Sequence, residues 1–421
     1  MEIEEIRNYC LNCKNRPCMN LGCPLHNSIP EFIHEKDVKK AFEILCKTTV
    51  LPAVCGRICP HLKQCEGKCV RGIKGEAVDI GKMEAYIGDK AIENSYDIPK
   101  SDNKELINKF SKFKTLVIGA GPAGLTCAAF LAKYNIDVTI YEKNEKLGGL
   151  LNYGIPDFRL DRKIVNETIN KILKLGVKYK VNYELGRDYF LKDEIKKYDA
   201  IFISIGANEP NYTLEGKNIL SGNDILERMN KNEKFYFDGK KVFVSGGGDV
   251  AMDTARTLKK LGADVTIIYR RDEAQMKAEK KWIECAKKEK IKFIFKANVL
   301  SFDSEKKEIK CIKTELVKKE GDSRLSPVNI ENSEFYEKCD YLVLANGSKT
   351  NKELLIKEGL QIDKNGYIII DSNMKTSIQN VFAGGDLVGN EKTVAFASKS
   401  GRDAAENIIT FLLQKNNQNV M

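Results

Sequence analysis

The alternation of apolar and polar positions divides the chain in two. Helical patterns broken by cysteine loops fill roughly the first hundred residues, and short β-rich runs alternate with helical patterns afterwards. The clearest stretch is Lys114 to Gly149, KTLVIGAGPAGLTCAAFLAKYNIDVTIYEKNEKLGG. Its apolar run, Thr115 to Ile118, enters a turn holding Gly119, Gly121 and Gly124. A helical pattern opened by Pro122 and Ala123 follows, then a β-rich run from Val138 to Tyr141 that ends at Glu142 and Lys143. Strand, glycine turn, helix, strand is the context in which G-x-G-x-x-G binds a dinucleotide. Gly119 permits the tight turn, Gly121 lets the backbone approach a pyrophosphate, and Gly124 lets helix and strand pack closely. The helix N-terminus offers its N–H groups to the anion. Glu142 lies 23 residues past Gly119, where a carboxylate can accept hydrogen bonds from a ribose.

Other elements follow from the same pattern. Helices are predicted over Ile29 to about Lys47 and Ile80 to Ile92, and residues 93–113 read as a polar linker with a short helix. A glycine- and proline-bearing loop from Gly148 to Arg159, holding Gly149 and Leu150, reads as one that crosses a ligand face. A helix from Arg162 to Leu175 and a short β region come next. DAIFISIG (Asp199 to Gly206) and DYLVLANG (Asp340 to Gly347) share one form: an acid, a mostly apolar run, then glycine. This repeat suggests two crossings between a pair of nucleotide domains. Between them, a strand from Lys241 to Ser245 runs into Gly246-Gly247-Gly248-Asp249-Val250-Ala251, the G-x-G-x-x-A variant. A helix (Ala251 to Leu261) and a strand (Asp264 to Ile268) complete the unit. Aligning the two units pairs Glu142 with Tyr269, and Arg270 and Arg271 come next. Two guanidiniums in place of a carboxylate favour a 2′-phosphate, so this site should prefer NADPH over NADH. A last strand enters Gly384-Gly385-Asp386, and a small-residue helix starts near Thr393.

The expected fold class is α/β. An α-helical N-terminal iron–sulfur domain (1–111) precedes two Rossmann-like dinucleotide-binding domains, the second inserted in the first. Their segments are 112–208 and 338–421 for the flavin, and 209–337 for the pyridine nucleotide.

Composition narrows the function classes. The 421 residues carry a net charge of +10, which fits a solvated Lys-rich surface or a basic face for an acidic electron-transfer partner. No basic–aromatic nucleic-acid module and no apolar run of about 18 residues appears. The N-terminal MEIEEIRNYC lacks a signal-peptide pattern, so a cytoplasmic protein is expected. Nine of the thirteen cysteines fall in the first 69 residues. In a reducing compartment such clustering points to metal rather than disulfides. Zinc sites are typically built from paired C-x2-C knuckles, and only Cys10 and Cys13 have that spacing. The x2, x4, x4 and x3, x5, x3 gaps suit 4Fe–4S clusters better. A flavin, which takes electrons in pairs and releases them singly, is a natural neighbour for such clusters.

The stretches CLNCKNRPCMNLGCPLHNSIPEFI at Cys10, CGRICPHLKQCEGKCVRG at Cys55 and IGKMEAYIGD at Ile80 resemble the glutamate synthase small-subunit family. That family includes the NADPH-input half of dihydropyrimidine dehydrogenase and the large subunit of NADH-dependent ferredoxin:NADP oxidoreductase. The resemblance implies FAD, NADPH and two 4Fe–4S clusters. One cluster would use Cys10, Cys13, Cys18 and Cys69, and the other Cys23, Cys59, Cys65 and Glu84. Cys55 is left as a spare beside them. Four residues separate Cys18 from Cys23, where many relatives have three. The resemblance also lays Gly149, Leu150 and Arg159 along the flavin and brings Gly385 and Asp386 to its ribityl and phosphates. Gly206, Gly347 and Thr393 complete the expected cofactor contacts. No side-chain acid or base is expected to be catalytic, because cofactors carry the chemistry.

The leading role is electron input to a larger glutamate synthase subunit. With Glu2 at the second position and no second large domain, this chain is not expected to form glutamate alone. The alternative is the large subunit of an electron-bifurcating ferredoxin:NADP oxidoreductase, with a smaller flavoprotein partner. A disulfide reductase would need a cysteine pair near the flavin, and none is close in sequence there. Intact glycines at both sites argue against a non-catalytic iron–sulfur scaffold or redox sensor.

Overall fold

The computed structural model describes residues 1–318, 325–389 and 391–418. The chain forms two compact units. One comprises Met1–Asn152, Asp157–Ala207 and Thr350–Met421, the other Tyr153–Pro156 and Asn208–Lys349.

The first unit begins with α1 (Ile3–Tyr9), α2 (Ile29–His34), α3 (Val38–Cys46), α4 (Pro52–Ile58), α5 (Ile80–Glu93) and α6 (Lys104–Phe110). The single helix expected from Ile29 to Lys47 is two helices. Asp37 breaks it, because its carboxylate accepts from Lys39 N and Lys40 N and so caps α3. Helices α4 and α5 cross at backbone contact. A Cβ on Gly56 would lie 2.6 Å from Gly81 O, and one on Gly88 would lie 2.6 Å from Ala53 Cα.

The rest of this unit is a parallel sheet and its helices. Strands β1 (Lys114–Ile118), β2 (Asp137–Tyr141), β3 (Lys178–Lys180), β4 (Ala200–Ile203) and β15 (Val381–Ala383) lie in the order β15-β4-β1-β2-β3. The helices are α7 (Pro122–Ala132), α8 (Leu150–Tyr153, whose last residue falls in the second unit), α9 (Arg162–Leu173), α10 (Leu191–Glu194), α14 (Lys352–Lys357) and α15 (Val394–Gln418). Helix α7 is buried nearly all round, and α15 packs on it so closely that a Cβ on Gly401 would fall 2.9 Å from the Ala123 carbonyl carbon.

The cysteine-rich helices and the sheet are joined by cations reaching main-chain carbonyls. Lys133 at the end of α7 donates to Cys46 O at the end of α3. Lys171 on α9 donates to Tyr96 O at 2.6 Å, and Arg402 on α15 to Leu25 O at 2.7 Å. Cations at carbonyl ends such as that of α3 also meet the negative end of a helix dipole.

The second unit repeats the sheet. Strands β6 (Ile219–Ser221), β7 (Lys241–Ser245), β8 (Asp264–Tyr269), β9 (Lys292–Phe295) and β13 (Tyr341–Leu344) run parallel in the order β6-β13-β7-β8-β9. Helices α11 (Gly222–Asn230), α12 (Asp249–Lys260) and α13 (Lys280–Lys288) accompany it. Beside it stand an antiparallel sheet of β10 (Ala297–Asp303), β11 (Glu308–Val317) and β12 (Ser326–Lys338), and a ribbon of β5 (Glu209–Pro210) and β14 (Ser348–Lys349).

After each acid-to-glycine segment the chain passes between the two units, at 207/208 and at 349/350, and each acid also ties two strands together. Asp199 Oδ2 accepts from Lys114 N at 2.9 Å, and Asp340 Oδ2 accepts from Lys241 N at 3.0 Å. Each acid thus locks its strand beside the strand that enters the glycine turn of its own sheet, β4 on β1 and β13 on β7. The segment from Asp340 therefore belongs to the inserted sheet rather than opening the resumed flavin segment at 338, and the chain returns to the first unit at Thr350. No described helix is long and apolar enough to cross a membrane.

Candidate functional site

In the first unit Gly119 has φ +97°, and a Cβ there would lie 2.6 Å from Ser204 O, so the turn accepts only glycine. At Gly121 a Cβ would meet nothing within 4 Å. The backbone is open there, at the cap of α7, whose first turn includes Pro122, Ala123 and Gly124. Open backbone at a helix N-terminus has the chemistry to hold an anion such as a pyrophosphate. Glu142 is buried beside it, where Oε2 accepts from Ala120 N and Oε1 from Asn144 N, both at 2.9 Å. Burial pushes its carboxyl up, and these two N–H groups pull it back. Each oxygen keeps a lone pair for a ribose hydroxyl. Lys143 next to it is exposed.

Two later segments converge on the same turn. Gly148 N donates to Ala120 O at 2.9 Å, and a Cβ on Gly149 (φ +52°) would sit 2.9 Å from Gly121 Cα. Leu150 follows, exposed at the start of α8. Gly385 (φ +69°) lies against Ala123, and its N–H donates to Ser400 Oγ at 2.6 Å. Burial raises the Asp386 carboxyl, with Lys392 opposing. Thr393 precedes α15, and its Oγ1 accepts from Phe396 N. Gly206 (φ +76°) ends the segment after β4, and Arg159 is half-buried before α9.

The second glycine turn has a similar build. Gly246 (φ +151°) faces Ala345 O, and a Cβ on Gly248 would meet nothing within 4 Å. Asp249 and Val250 open α12. Asp249 Oδ1 accepts from Glu279 N at 3.2 Å, so this carboxylate also holds the segment before α13. Arg270 is exposed after β8, while Arg271 Nε donates to Leu325 O at 3.0 Å, so the two arginines are not equivalent. Gly347 (φ +92°) lies past β13 in this unit. Sequence reasoning missed two parts of this turn. Lys277 N and Ala278 N donate to Gly247 O, and the Tyr269 ring packs on Gly247.

The cysteines gather in two sets. Cys10, Cys13, Cys18 and Cys69 line one open recess, shared with Leu11 and Val70. Burial raises the thiols of Cys10 and Cys18, the latter to about 11, and the neighbouring sulfurs add to this. In the second set Cys23, Cys59, Cys65 and Glu84 influence one another. Burial pushes Cys23 to about 12 and Glu84 to about 8, and it raises Cys65 strongly. Cys59 is raised first by its hydrogen bond with Cys55 and then by burial. Cys55 thus stands against this set through Cys59, as a spare beside the ligands would. Thiols raised in this way keep their protons until a metal displaces them, so loading releases protons.

A donor set of buried sulfurs with one carboxylate suits iron–sulfur ligation. Among the described residues no three His, Cys, Asp or Glu side chains converge as on a single ion. Three supports were not anticipated. Asn27 Nδ2 donates to Glu84 Oε1 at 3.2 Å, and Glu66, between Cys65 and Cys69, accepts from Gly81 N at the start of α5. Gln64, beside Cys65, donates to Thr393 Oγ1 at 3.5 Å. Only the positions of Gln64 and Glu66 between ligand cysteines could have flagged them.

Comparison with known proteins matches residues 113–401 to the pyridine nucleotide-disulphide oxidoreductase family and residues 2–96 to the 4Fe-4S cluster domain II of dihydropyrimidine dehydrogenase. The small chain of NADPH glutamate synthase from Escherichia coli is 33% identical over 96% of this chain and 90% of its own length. That from Azospirillum brasilense is 33% identical over 98% and 89%. The structure of FprA from Mycobacterium tuberculosis in complex with NADPH shares the fold at a TM-score of 0.62 and 17% identity, over 73% of this chain and 86% of that one. The chain belongs to the pyridine nucleotide-disulphide oxidoreductases and, within them, to the family of the glutamate synthase small chain.

Proposed function

We propose that this NADPH-dependent flavin and iron–sulfur oxidoreductase is the electron-input subunit of a cytoplasmic glutamate synthase, and that a larger subunit receives its electrons. When bound, FAD takes up the two electrons of the NADPH hydride and the 4Fe–4S clusters carry them singly. The residues hold and orient. Gly119, Gly121 and the start of α7 cradle the FAD pyrophosphate, Glu142 accepts from its ribose, and Gly149, Leu150, Arg159, Gly206, Gly385, Asp386 and Thr393 border the rest. Gly246, Gly248, Val250 and the start of α12 do the same for NADPH, with Gly347 nearby and Arg270 on the 2′-phosphate. Cys10, Cys13, Cys18 and Cys69 hold one cluster. Cys23, Cys59, Cys65 and Glu84 hold the other, with the Cys55 thiol hydrogen-bonded to Cys59.

One observation carries this reading. The two sulfur sets and the first glycine turn lie in a single compact unit, and Gln64 beside Cys65 touches Thr393. A cluster lobe fixed to a flavin site is what electron export requires. The test is anaerobic purification of the chain from its native cell, followed by mass determination of what accompanies it. A partner several times larger, with NADPH oxidation dependent on glutamine and 2-oxoglutarate, is the expected result. A smaller flavoprotein partner overturns it in favour of a ferredoxin:NADP oxidoreductase.

A further inference from the structure

The loop assigned to the flavin, Gly148 to Arg159, is divided between the two units. The second unit contains, besides Asn208–Lys349, the four loop residues Tyr153–Pro156. The flanks of the loop stay with the first unit. On one side Asn152 Nδ2 donates to Leu147 O at 2.5 Å, and Arg162 Nη1 donates to Leu151 O. On the other side Arg162 N donates to Asp157 Oδ1 at 3.1 Å.

The middle of the loop has a local hydrogen-bonding problem. Tyr153 ends the four-residue helix α8, so no further helical turn follows to donate to its carbonyl. Pro156, three residues on, has no N–H to turn back to it. Asn230, the last residue of α11, supplies a donor. Its Nδ2 donates to Tyr153 O at 2.8 Å and to Ile155 O at 3.2 Å. An amide NH2 carries two hydrogens, so one side chain closes on two carbonyls of one turn. Next to it, the Lys231 ammonium lies 5.4 Å from the centroid of the Tyr153 ring.

The other end of α11 leads to the second glycine turn. Thr254 Oγ1 on α12 donates to Gly222 O, in the first turn of α11, at 3.4 Å. A Cβ on Gly222 would lie 2.9 Å from that hydroxyl, so the two helices meet closely. Helix α12 itself starts at Asp249, with Gly248 as its cap. Within one unit, packed elements thus run from the pyridine-nucleotide turn to the middle of the flavin loop.

We propose that Asn230 is a positioning residue for hydride transfer: its clasp on Tyr153 O and Ile155 O fixes the middle of the flavin loop to the body that binds NADPH. The proposal rests on the electron-input function and the cofactor contacts given above. In that step a C–H bond of NADPH breaks, NADP+ is left, and the flavin gains the hydrogen with both electrons. Reacting atoms must be held in register, and a misplacement of about 1 Å costs on the order of 100-fold in rate. Asn230 acts on this register through the main chain of the loop.

The test uses the anaerobic, cofactor-loaded full chain in four forms. They are wild type, Asn230→Ala, Asn230→Asp, which keeps the size and removes both donors, and a control, Arg228→Ala, which removes an exposed ion pair with Glu233 from the same helix end. FAD content and melting temperature are recorded for each. Hydrogen exchange across residues 150–160, without nucleotide, reads the clasp directly. Stopped-flow reduction of the flavin by NADPH separates the limiting rate from the Kd. Both Asn230 variants should exchange faster in this segment and lose about tenfold or more in limiting rate, with Kd within about twofold of wild type. Arg228→Ala should change neither. Unchanged exchange or an unchanged limiting rate in both Asn230 variants overturns the role. So does a loss that falls in Kd alone, or an equal loss in Arg228→Ala. Release of FAD by both Asn230 variants makes the clasp a retention device and overturns positioning. Wild-type flavin that dithionite reduces and NADPH does not overturns the electron-input function and this role together, whereas a failure confined to the variants leaves the function standing.

Discussion

Lys133 tests how the cluster lobe is held to the flavin sheet. Its side chain is buried over the Phe130 ring, 4.0 Å from the centroid, and its ammonium donates to Cys46 O. Burial lowers its pKa from 10.5 to about 8, and Cys46 opposes this weakly. For a base with a depressed folded pKa, the unfolded chain binds more protons, so stability rises with pH. The penalty is complete below pH 8 and gone above the unfolded value. From these two pKa values the buried charge costs about 3 kcal/mol at pH 7 and about 1.4 kcal/mol at pH 9.5. Lys133→Met removes this titration, and the part of the bond to Cys46 O that depends on the ammonium charge is already contained in the folded pKa. Relative to the variant, the wild type should therefore gain about 2 kcal/mol between pH 7 and pH 9.5. Urea unfolding of anaerobic, cofactor-loaded protein, followed by far-UV circular dichroism, gives the difference at each pH. Groups common to both proteins cancel. A difference that stays constant across the two pH values refutes the buried-charge account of this joint.

Other substitutions probe the sites directly. Gly88→Ala places a methyl group 2.6 Å from Ala53 Cα, forcing α4 from α5. Overpacking of this kind costs about 1–3 kcal/mol, and iron content per chain should fall with the melting temperature because these helices place Cys59 and Glu84. Arg270→Ala should raise KM for NADPH by about 10- to 150-fold, the range of a charge-assisted hydrogen bond, and leave NADH kinetics unchanged. Arg271→Ala should do less, since Arg271 Nε already serves Leu325 O, and equal effects in steady-state rates would disprove the assignment. Cys55→Ser should retain full iron content. Glu84→Gln should raise the midpoint of one cluster and leave the other nearly unchanged, and identical EPR titrations of variant and wild type would exclude Glu84 as a ligand.

What the sequence revealed and what it hid follow from the range of the forces involved. The glycine turns were legible because a positive φ at Gly119 and open backbone at Gly121 demand a residue type at a fixed spacing. The Asp199 and Asp340 repeat was visible as a pattern, and the chain passes between the units just after each segment, but the work of the acid itself was not legible. Its cause is a carboxylate that accepts from the first N–H of a neighbouring strand, Lys114 or Lys241, which lies 85 or 99 residues away. Nothing local in the sequence marks that partner. Cys55 was left outside the ligand sets by counting, and its contact with Cys59 follows from a spacing of four across the C-terminal end of α4. The joint between lobes was the least legible. Lys133, Lys171 and Arg402 look like three of 69 basic residues, and their carbonyl acceptors lie 87, 75 and 377 residues away. A backbone carbonyl has no signature in sequence, so a cation that joins two lobes through one is indistinguishable from a solvated one. The net charge of +10 therefore counts together cations that fasten the cluster lobe to the flavin sheet and lysines that are merely solvated.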